Sequence, residues 1–193
     1  MEAGRDHDGS LAPHVAAIAT PASPARLLVT GIPGTGKTTL GRHLEAAHGF
    51  AHVDLEEPAV AETFLRGLYE GRGWAGFDAR VDTLLAPSRP VVVTWGFVPE
   101  LQLEPVLRLR AHGFTWLWFD GDREAARRAF VRRGTVDERH FAPQVEKLDR
   151  GVDLVALGPV RIDPFMGGAF RPVGEIAREV LALGGAGPVP PSA

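Results

Sequence analysis

The segment Gly31–Thr38 constrains this chain more than any other part of its sequence. It reads GIPGTGKT and matches the pattern G-x-x-x-x-G-K-[ST] in full. In that pattern the glycines let the backbone curl so that successive N–H groups point into one hollow, and a helix N-terminus adds partial positive charge there. The lysine reaches the β- and γ-phosphates of a nucleoside triphosphate, and the next hydroxyl can ligate Mg²⁺. The motif therefore predicts a phosphate-binding loop for ATP and Mg²⁺.

The predicted nucleotide site is the whole loop together with the residue after it. Lys37 is expected to be catalytic, and the Thr38 hydroxyl is expected to hold the metal. The residues expected to bind the nucleotide are Gly31, Ile32, Pro33, Gly34, Thr35, Gly36, Lys37, Thr38 and Thr39.

Strand-like and helix-like segments alternate along the chain. Short apolar or β-branched runs predict strands at 26–30, 50–53, 90–94, 114–119 and 159–162. Helical spacing predicts helices at 37–48, 57–70, 78–85, 103–112, 122–133 and 172–183, with Pro105 acceptable only in a first turn. Such alternation favours an α/β class fold, a three-layer P-loop NTPase fold with a five-stranded parallel sheet and a small lid.

Composition narrows the class of protein. The chain has 193 residues, 45% of them hydrophobic, which suits one soluble domain at 25–183 between flexible tails at 1–24 and 184–193. A net charge of −3 makes a nucleic-acid partner unfavourable, and the absence of cysteine excludes disulfides and thiolate metal sites. Because the sequence shows no signal peptide or membrane-spanning run, we expect a cytoplasmic protein. We expect it to be a monomer or a homodimer.

The positions of the carboxylates separate classes of nucleotide-binding proteins. The strand at 90–94 ends at Thr94, where switch GTPases and motor ATPases usually carry an acidic residue. Asp54 instead ends the second predicted strand, and Asp120 and Asp122 follow the fourth. Asp54 is expected to act in catalysis, as a base for the acceptor or in the metal shell. The alternative is that it only caps the next element, with Glu56 and Glu57 on the surface.

The histidines do not predict a metal site. His48 and His52 are four residues apart, but Gly49 breaks the helix that would place them on one face.

At this point the sequence resembles the small P-loop kinases, the group of adenylate, shikimate and gluconate kinases. The resemblance rests on the loop GIPGTGKTT, on RAFVRR at 128–133, and on a gluconate kinase-like lid pattern at 139–148. It implies that Arg128 packs against the adenine, that Arg132 or Arg133 contacts phosphates, and that a lid spans about 134–150. One departure is Thr94-Trp95-Gly96-Phe97, where such kinases often carry Asp-Gly-Phe.

Several residues allow two interpretations. The arginines at 123–133 form either a solvated helix face or part of the active site. Trp95 and Phe97, at the carboxyl end of a strand, either wall an acceptor pocket or belong to the core. Residues 164–168 could line the adenine pocket.

The function predicted from all this is ATP-dependent phosphoryl transfer to a small hydroxyl- or phosphate-bearing acceptor. Two alternatives remain: a regulatory ATPase or switch without an acceptor, and a nucleoside monophosphate or polynucleotide kinase. The missing carboxylate at Thr94 weighs against a GTPase-like switch.

Overall fold

A computed structural model describes residues 24–69, 73–134, 137–151 and 153–184. The predicted tails therefore lie outside the described residues, except for their inner ends at 24 and 184. The strands are β1 Arg26–Gly31, β2 Ala51–Asp54, β3 Val91–Thr94, β4 Thr115–Phe119, β5 Val160–Ile162, β6 Phe165–Met166 and β7 Ala169–Phe170. The helices are α1 Lys37–His48, α2 Pro58–Tyr69, α3 Gly73–Leu85, α4 Pro99–Ala111, α5 Arg123–Arg133, α6 Phe141–Gly151, α7 Leu154–Leu157 and α8 Val173–Gly184, with a 3₁₀ helix at Glu138–His140.

Five strands form one parallel sheet in the order β2-β3-β1-β4-β5. The chain crosses from β1 to the edge strand β2, returns to β3 beside β1, and then builds β4 and β5 on the other side. The carboxyl ends of β1, β2 and β3 consequently meet at one edge, with the loop after β1 between them. The predicted α/β class and five-stranded parallel sheet are confirmed.

Both faces of the sheet are buried, which explains why its strands are nearly continuous apolar runs. One face packs on α1 and α8, through buried residues such as Leu44 and Val180. The other face packs on α2 to α6, where Phe77, Phe130 and Leu148 join the core. The result is the predicted three layers, helix on sheet on helix.

Most predicted elements are confirmed with end shifts of a few residues, but α4 is a correction. It begins at Pro99, with Val98 as its N-cap, so Pro105 lies within the helix and not in its first turn. Proline at the start is pre-organised for a helix, and burial of Val106 and Leu109 offsets the hydrogen bond that Pro105 removes. The prediction for Pro105 was therefore wrong.

The sequence did not predict the antiparallel strands β6 and β7, the 3₁₀ helix at Glu138–His140, helix α6 or the short helix α7. In the part of the chain that the structure describes, no helix combines the length and the hydropathy needed to span a membrane.

Candidate functional site

The loop between β1 and α1 is held tightly by the elements around it. Gly31 has φ +129°, and a Cβ there would lie 2.1 Å from the carbonyl oxygen of Phe119 in β4. Gly34 has φ +76°, and its Cβ would lie 2.2 Å from the carbonyl oxygen of Ala126 in α5. The Ile32 N–H also donates to the Phe119 carbonyl at 3.0 Å. Only glycine fits these two positions, and their packing fixes the loop against β4 and α5.

Lys37 begins α1 and is 7% exposed. Its Nζ donates to the carbonyl oxygens of Ile32 at 3.0 Å and Gly31 at 3.4 Å, so the ammonium lies across the mouth of the loop. Burial lowers the pKa of Lys37 to about 8; of its charged neighbours, Glu56 and Asp54 raise this pKa and Arg133 lowers it. A buried cation at a helix N-terminus inside a glycine loop is suited to bind phosphate oxygens.

Asp54, at the end of β2, meets Thr38 in the first turn of α1. The Thr38 hydroxyl donates to Asp54 Oδ2 at 3.0 Å, and the Glu56 N–H donates to Asp54 Oδ1 at 3.0 Å. A hydroxyl and a carboxylate that face each other are hard oxygen ligands, the kind that Mg²⁺ takes together with phosphate oxygens. The pair therefore fits Mg²⁺ held jointly with a bound nucleotide. Elsewhere among the described residues, no cluster of three or more acidic or histidine side chains is suited to a metal ion.

The pairing of β2 with β3 explains where the carboxylate comes from. Asp54 is in register with Thr94, so the acidic residue that β3 lacks is supplied by the neighbouring strand. Beneath this pair, His52 Nε2 lies 2.9 Å from the Thr94 hydroxyl. A Cβ at Gly41 of α1 would lie 2.3 Å from the His52 ring, so Gly41 lets α1 approach β2 closely. Burial lowers the pKa of His52, which favours the neutral imidazole.

Glu56 and Arg133 face each other beside Lys37. Glu56 Oε2 lies 3.9 Å from Arg133 Nη1, and both side chains are partly exposed. Glu56 also approaches Gly96, because a Cβ at Gly96 would lie 2.3 Å from its Oε1. Sequence reasoning gave Glu56 no site role and allowed it to be a surface residue. The structure brings it to the centre, since the turn after β2 folds back toward the loop.

Two cavities meet around these groups, and a third adjoins the second. The first, called the loop cleft, has a volume of about 530 Å³ and is lined by Gly34, Thr35, Gly36, Lys37, Thr38, Thr39, Arg42, Asp54, Glu56, Glu57, Pro58, Ala129, Arg133 and Phe170. The inner pocket, of about 190 Å³, is lined by Gly31, Pro33, Lys37, Glu56, Gly96, Phe97, Phe130, Arg133, Gln144 and Leu148. The outer pocket, of about 230 Å³, is lined by Phe97, Val98, His140, Pro143, Gln144 and Lys147. Lys37, Glu56 and Arg133 belong to both the loop cleft and the inner pocket.

The arginines of α5 line different cavities. Arg133 lines the loop cleft and the inner pocket. Arg132 instead lines a separate cavity of about 350 Å³ on the outer side of α5, with Arg127 and Arg128. Arg128 donates to the Gly168 carbonyl at 3.1 Å and so ties α5 to the β6–β7 turn. Of the two predicted phosphate contacts, the structure brings only Arg133 to the loop.

Of the other residues that the sequence singled out, most have structural roles and one lines the pockets. Trp95 is 3% exposed and belongs to the core, whereas Phe97 lines the inner and outer pockets. The Asp120 carboxylate accepts from Arg161 at 2.9 Å. Asp122 caps α5 by accepting from the Ala125 N–H at 2.9 Å. Arg123 pairs with Asp149 of α6 at 2.7 and 2.8 Å, which raises the pKa of this arginine and holds α5 to α6.

The β6–β7 hairpin supplies an aromatic side chain that sequence reasoning missed. Phe170 is 48% exposed, lines the loop cleft, and lies 3.3 Å from where a Cβ of Gly36 would be. Its ring packs on Phe165, with centroids 4.7 Å apart. Gly167-Gly168 between two short apolar pairs is a hairpin signal that could have located it.

Comparison of whole structures decides the fold type. A gluconokinase from Sinorhizobium meliloti 1021 matches with a TM-score of 0.53 at 22% identity, over 83% of this chain and 91% of that one. A shikimate kinase from Acinetobacter baumannii, in complex with shikimate, matches with a TM-score of 0.53 at 20% identity, over 84% and 93%. A sugar kinase from Janibacter sp. HTCC2649 gives 0.50 at 18% identity, over 82% and 94%.

This chain has the fold of the P-loop small-molecule kinases. The identities are below a quarter, so the likeness concerns the fold and leaves the acceptor open. No protein-family model matches the sequence, and a search of curated proteins returned no match.

Proposed function

We propose that this chain is an ATP-dependent phosphotransferase that acts on a small hydroxyl- or phosphate-bearing acceptor. The observation that carries the proposal is the junction of two spaces at one set of charged groups. The loop cleft and the inner pocket share Lys37, Glu56 and Arg133. A nucleotide in the cleft and an acceptor in the pocket would therefore meet at these three side chains, as direct phosphoryl transfer requires.

On the nucleotide side, the loop N–H groups, Lys37 and Thr38 would bind the phosphates and their metal. Mg²⁺, held by Thr38 and Asp54 with the phosphates, would neutralise charge on the transferring group. Lys37, which donates to the Ile32 and Gly31 carbonyls, would turn to the β- and γ-phosphates. Arg133, which lines the cleft from α5, would bind the same group, because a planar guanidinium suits paired phosphate oxygens. We assign the charge-stabilising role to Arg133 and no role in transfer to Arg132.

The nucleoside would lie toward the β6–β7 hairpin. Arg128 donates to the Gly168 carbonyl of this hairpin, and Phe170 of the same hairpin lines the loop cleft. A base between a guanidinium and an aromatic ring is held mainly by stacking. This placement supports the adenine role that the resemblance implies for Arg128.

The carboxylates of Asp54 and Glu56 would have different roles. Both oxygens of Asp54 are engaged, by Thr38 and by the Glu56 N–H, and Asp54 lines the loop cleft but not the inner pocket. Glu56 lines both spaces and lies beside Lys37 and Arg133. We therefore assign Asp54 to the metal shell and Glu56 to accepting the proton of the acceptor hydroxyl.

The test of this function is ADP release from ATP and Mg²⁺ with a panel of hydroxylated metabolites and nucleoside monophosphates. At least one acceptor is expected to accelerate ADP release and to appear as a phosphorylated product by mass spectrometry. Lys37→Ala is expected to remove nearly all transfer while the circular dichroism spectrum stays unchanged. Slow hydrolysis that no acceptor accelerates would instead favour the regulatory ATPase, and full turnover by Lys37→Ala would exclude the loop as the active nucleotide site.

A further inference from the structure

The inner pocket continues beyond the groups that would react. It shares Phe97 and Gln144 with the outer pocket, so the two cavities adjoin at these residues. One end carries Lys37, Glu56 and Arg133, and the other carries His140 and Lys147. Small-molecule sites commonly measure roughly 300–1,000 Å³, so neither pocket reaches that size alone and the two together do. An acceptor that fills this space is elongated.

The walls along this space are mainly apolar. Pro33, Phe130 and Leu148 line the inner pocket, and Val98 and Pro143 line the outer one. Phe97 separates them and is 7% exposed. Its ring packs edge-on against Trp118, with centroids 5.7 Å apart, and so forms a fixed wall.

Such walls disfavour an acceptor with hydroxyls along its whole length. Each hydroxyl buried against Phe97, Phe130 or Leu148 would lose water without gaining a partner. Between the two charged ends, Gln144 is the neutral polar side chain that lines both pockets.

Charge favours an anion at the far end. Among the described residues that line the inner and outer pockets, Glu56 is the one carboxylate, and it lies at the reacting end. At the other end, the Lys147 ammonium is exposed at the rim beside His140. A carboxylate or phosphate there would meet a positive charge and no competing carboxylate.

We infer that the acceptor is an elongated alcohol with an apolar ring and a distal anionic group. Its hydroxyl lies beside Glu56, its ring packs on Phe97, and its anion faces Lys147. This inference rests on the proposed function and names the acceptor class for that site. In the transfer, the acceptor oxygen forms a bond to the γ-phosphorus as the bond to the β,γ-bridging oxygen breaks. The hydroxyl proton passes to Glu56, and ADP leaves.

The test uses three probes with the full chain loaded with Mg²⁺ and a non-hydrolysable ATP analogue. 4-(Hydroxymethyl)benzoate has the hydroxyl, the ring and the carboxylate in line. Gluconate keeps the charge without the ring, and benzyl alcohol keeps the ring without the charge. Calorimetry is expected to show the aromatic acid binding about tenfold or more tightly than gluconate, because burial of a ring is worth roughly one to two powers of ten. It is also expected to bind more tightly than benzyl alcohol, which lacks the carboxylate that faces Lys147.

Two substitutions locate the probe. Lys147→Gln is expected to weaken 4-(hydroxymethyl)benzoate by about two- to fivefold, the usual contribution of an exposed ion pair, and to leave benzyl alcohol unchanged. Glu146→Gln, on the same helix but outside both pockets, is the matched control and should change neither. Phe97→Leu, which keeps an apolar side chain in a core position, should weaken both ring-containing probes and leave gluconate unchanged.

Gluconate binding as tightly as the aromatic acid would overturn the inference, as would no binding of the aromatic acid to nucleotide-loaded protein. An equal loss for both ring probes in Lys147→Gln would also overturn it. These outcomes are separable from failure of the proposed function. That function fails if no acceptor in the broad panel accelerates ADP release, whereas phosphorylation of a polyhydroxylated acid would overturn the acceptor class alone.

Discussion

At the scale of single residues, Lys37 is a charged group held in a buried environment. Burial at the start of α1 lowers its pKa from the ordinary value of 10.5 to about 8. The charged form binds phosphate, and bound phosphate in turn stabilises the charged form. In the protein without nucleotide, the ammonium is therefore mostly protonated near pH 7 and loses its proton within an accessible pH range.

The first prediction concerns the pH dependence of nucleotide binding. As pH rises through about 8, the charged fraction of Lys37 falls, so ATP affinity should decrease by up to about tenfold per pH unit. The affinity is measured by titrating the protein with a fluorescent ATP analogue and Mg²⁺ at pH values between about 7 and 9.5. Lys37→Met is the control, with weaker affinity throughout and no such decline. A decline of the same size in Lys37→Met would assign the effect to another group.

The second prediction separates the two carboxylates. Glu56→Gln should lower kcat by about 10²–10⁴-fold with little change in ATP affinity, because general-base assistance is worth about that much. Asp54→Asn should raise the Mg²⁺ concentration needed for half-maximal activity, because Asp54 faces the Thr38 hydroxyl. Glu104→Gln, an exposed carboxylate of α4 outside the loop cleft and both pockets, should change neither quantity. Steady-state kinetics at varied Mg²⁺ concentration gives kcat and the Mg²⁺ requirement for all three variants. If Asp54→Asn loses most of its kcat while its Mg²⁺ requirement is unchanged, Asp54 is the base.

At the scale of elements, α6 belongs to the core on one side and to the pockets on the other. Phe141, Val145 and Leu148 are buried, and the first two lie one helical turn apart. Gln144 and Lys147 lie on the pocket side of the same helix. The predicted lid at 134–150 thus contains a helix with its own core contacts, and its closing motion remains a prediction.

The third prediction tests that motion. Amide hydrogen exchange in the segment 134–143 should slow when an ATP analogue, Mg²⁺ and an acceptor are bound together, because Arg133 and Gln144 flank the space they would fill. Residues 135 and 136 lie outside the described residues and are covered by the same peptides. Buried strand β4 serves as the reference and should exchange equally in both states. Equal rates for 134–143 with and without the ligands would contradict a lid.

At the scale of the whole molecule, the loop lies where β1, α1, β4 and α5 meet. Gly31 packs on β4 and Gly34 on α5, so the loop and the central layer hold each other in place. A ligand that binds the loop only in this arrangement stabilises the whole fold through mass action. Thermal unfolding therefore reports on the loop without needing turnover.

The fourth prediction uses this linkage. An ATP analogue with Mg²⁺ at about a hundredfold its Kd should stabilise the protein by about 2.7 kcal/mol and raise Tm by roughly 5–10 °C. Differential scanning fluorimetry measures the shift. Lys37→Ala at the same ligand concentration should show a much smaller one. A full shift in Lys37→Ala would place the nucleotide elsewhere.

Features that depend on neighbouring residues follow directly from the sequence. Gly31–Thr38 has a fixed spacing, so the curl of the backbone, the lysine and the start of α1 all follow from adjacent positions. The alternation of strands and helices with buried runs likewise predicted the three layers and the parallel sheet. Helix ends were predictable where Gly49 and Gly134 adopt left-handed backbone conformations that favour glycine.

Which side chains meet across the sheet edge depends on how whole elements pack. Asp54 reaches Thr38, and Glu56 reaches Lys37, because β2 lies outside β3 and the turn after β2 returns to the loop. Arg133 rather than Arg132 faces the cleft because neighbouring helix positions differ by about 100° in direction and the packing of α5 selects one. Contacts between residues far apart in the chain depend on the rotation and register of whole elements, and these are set by packing that no local pattern encodes.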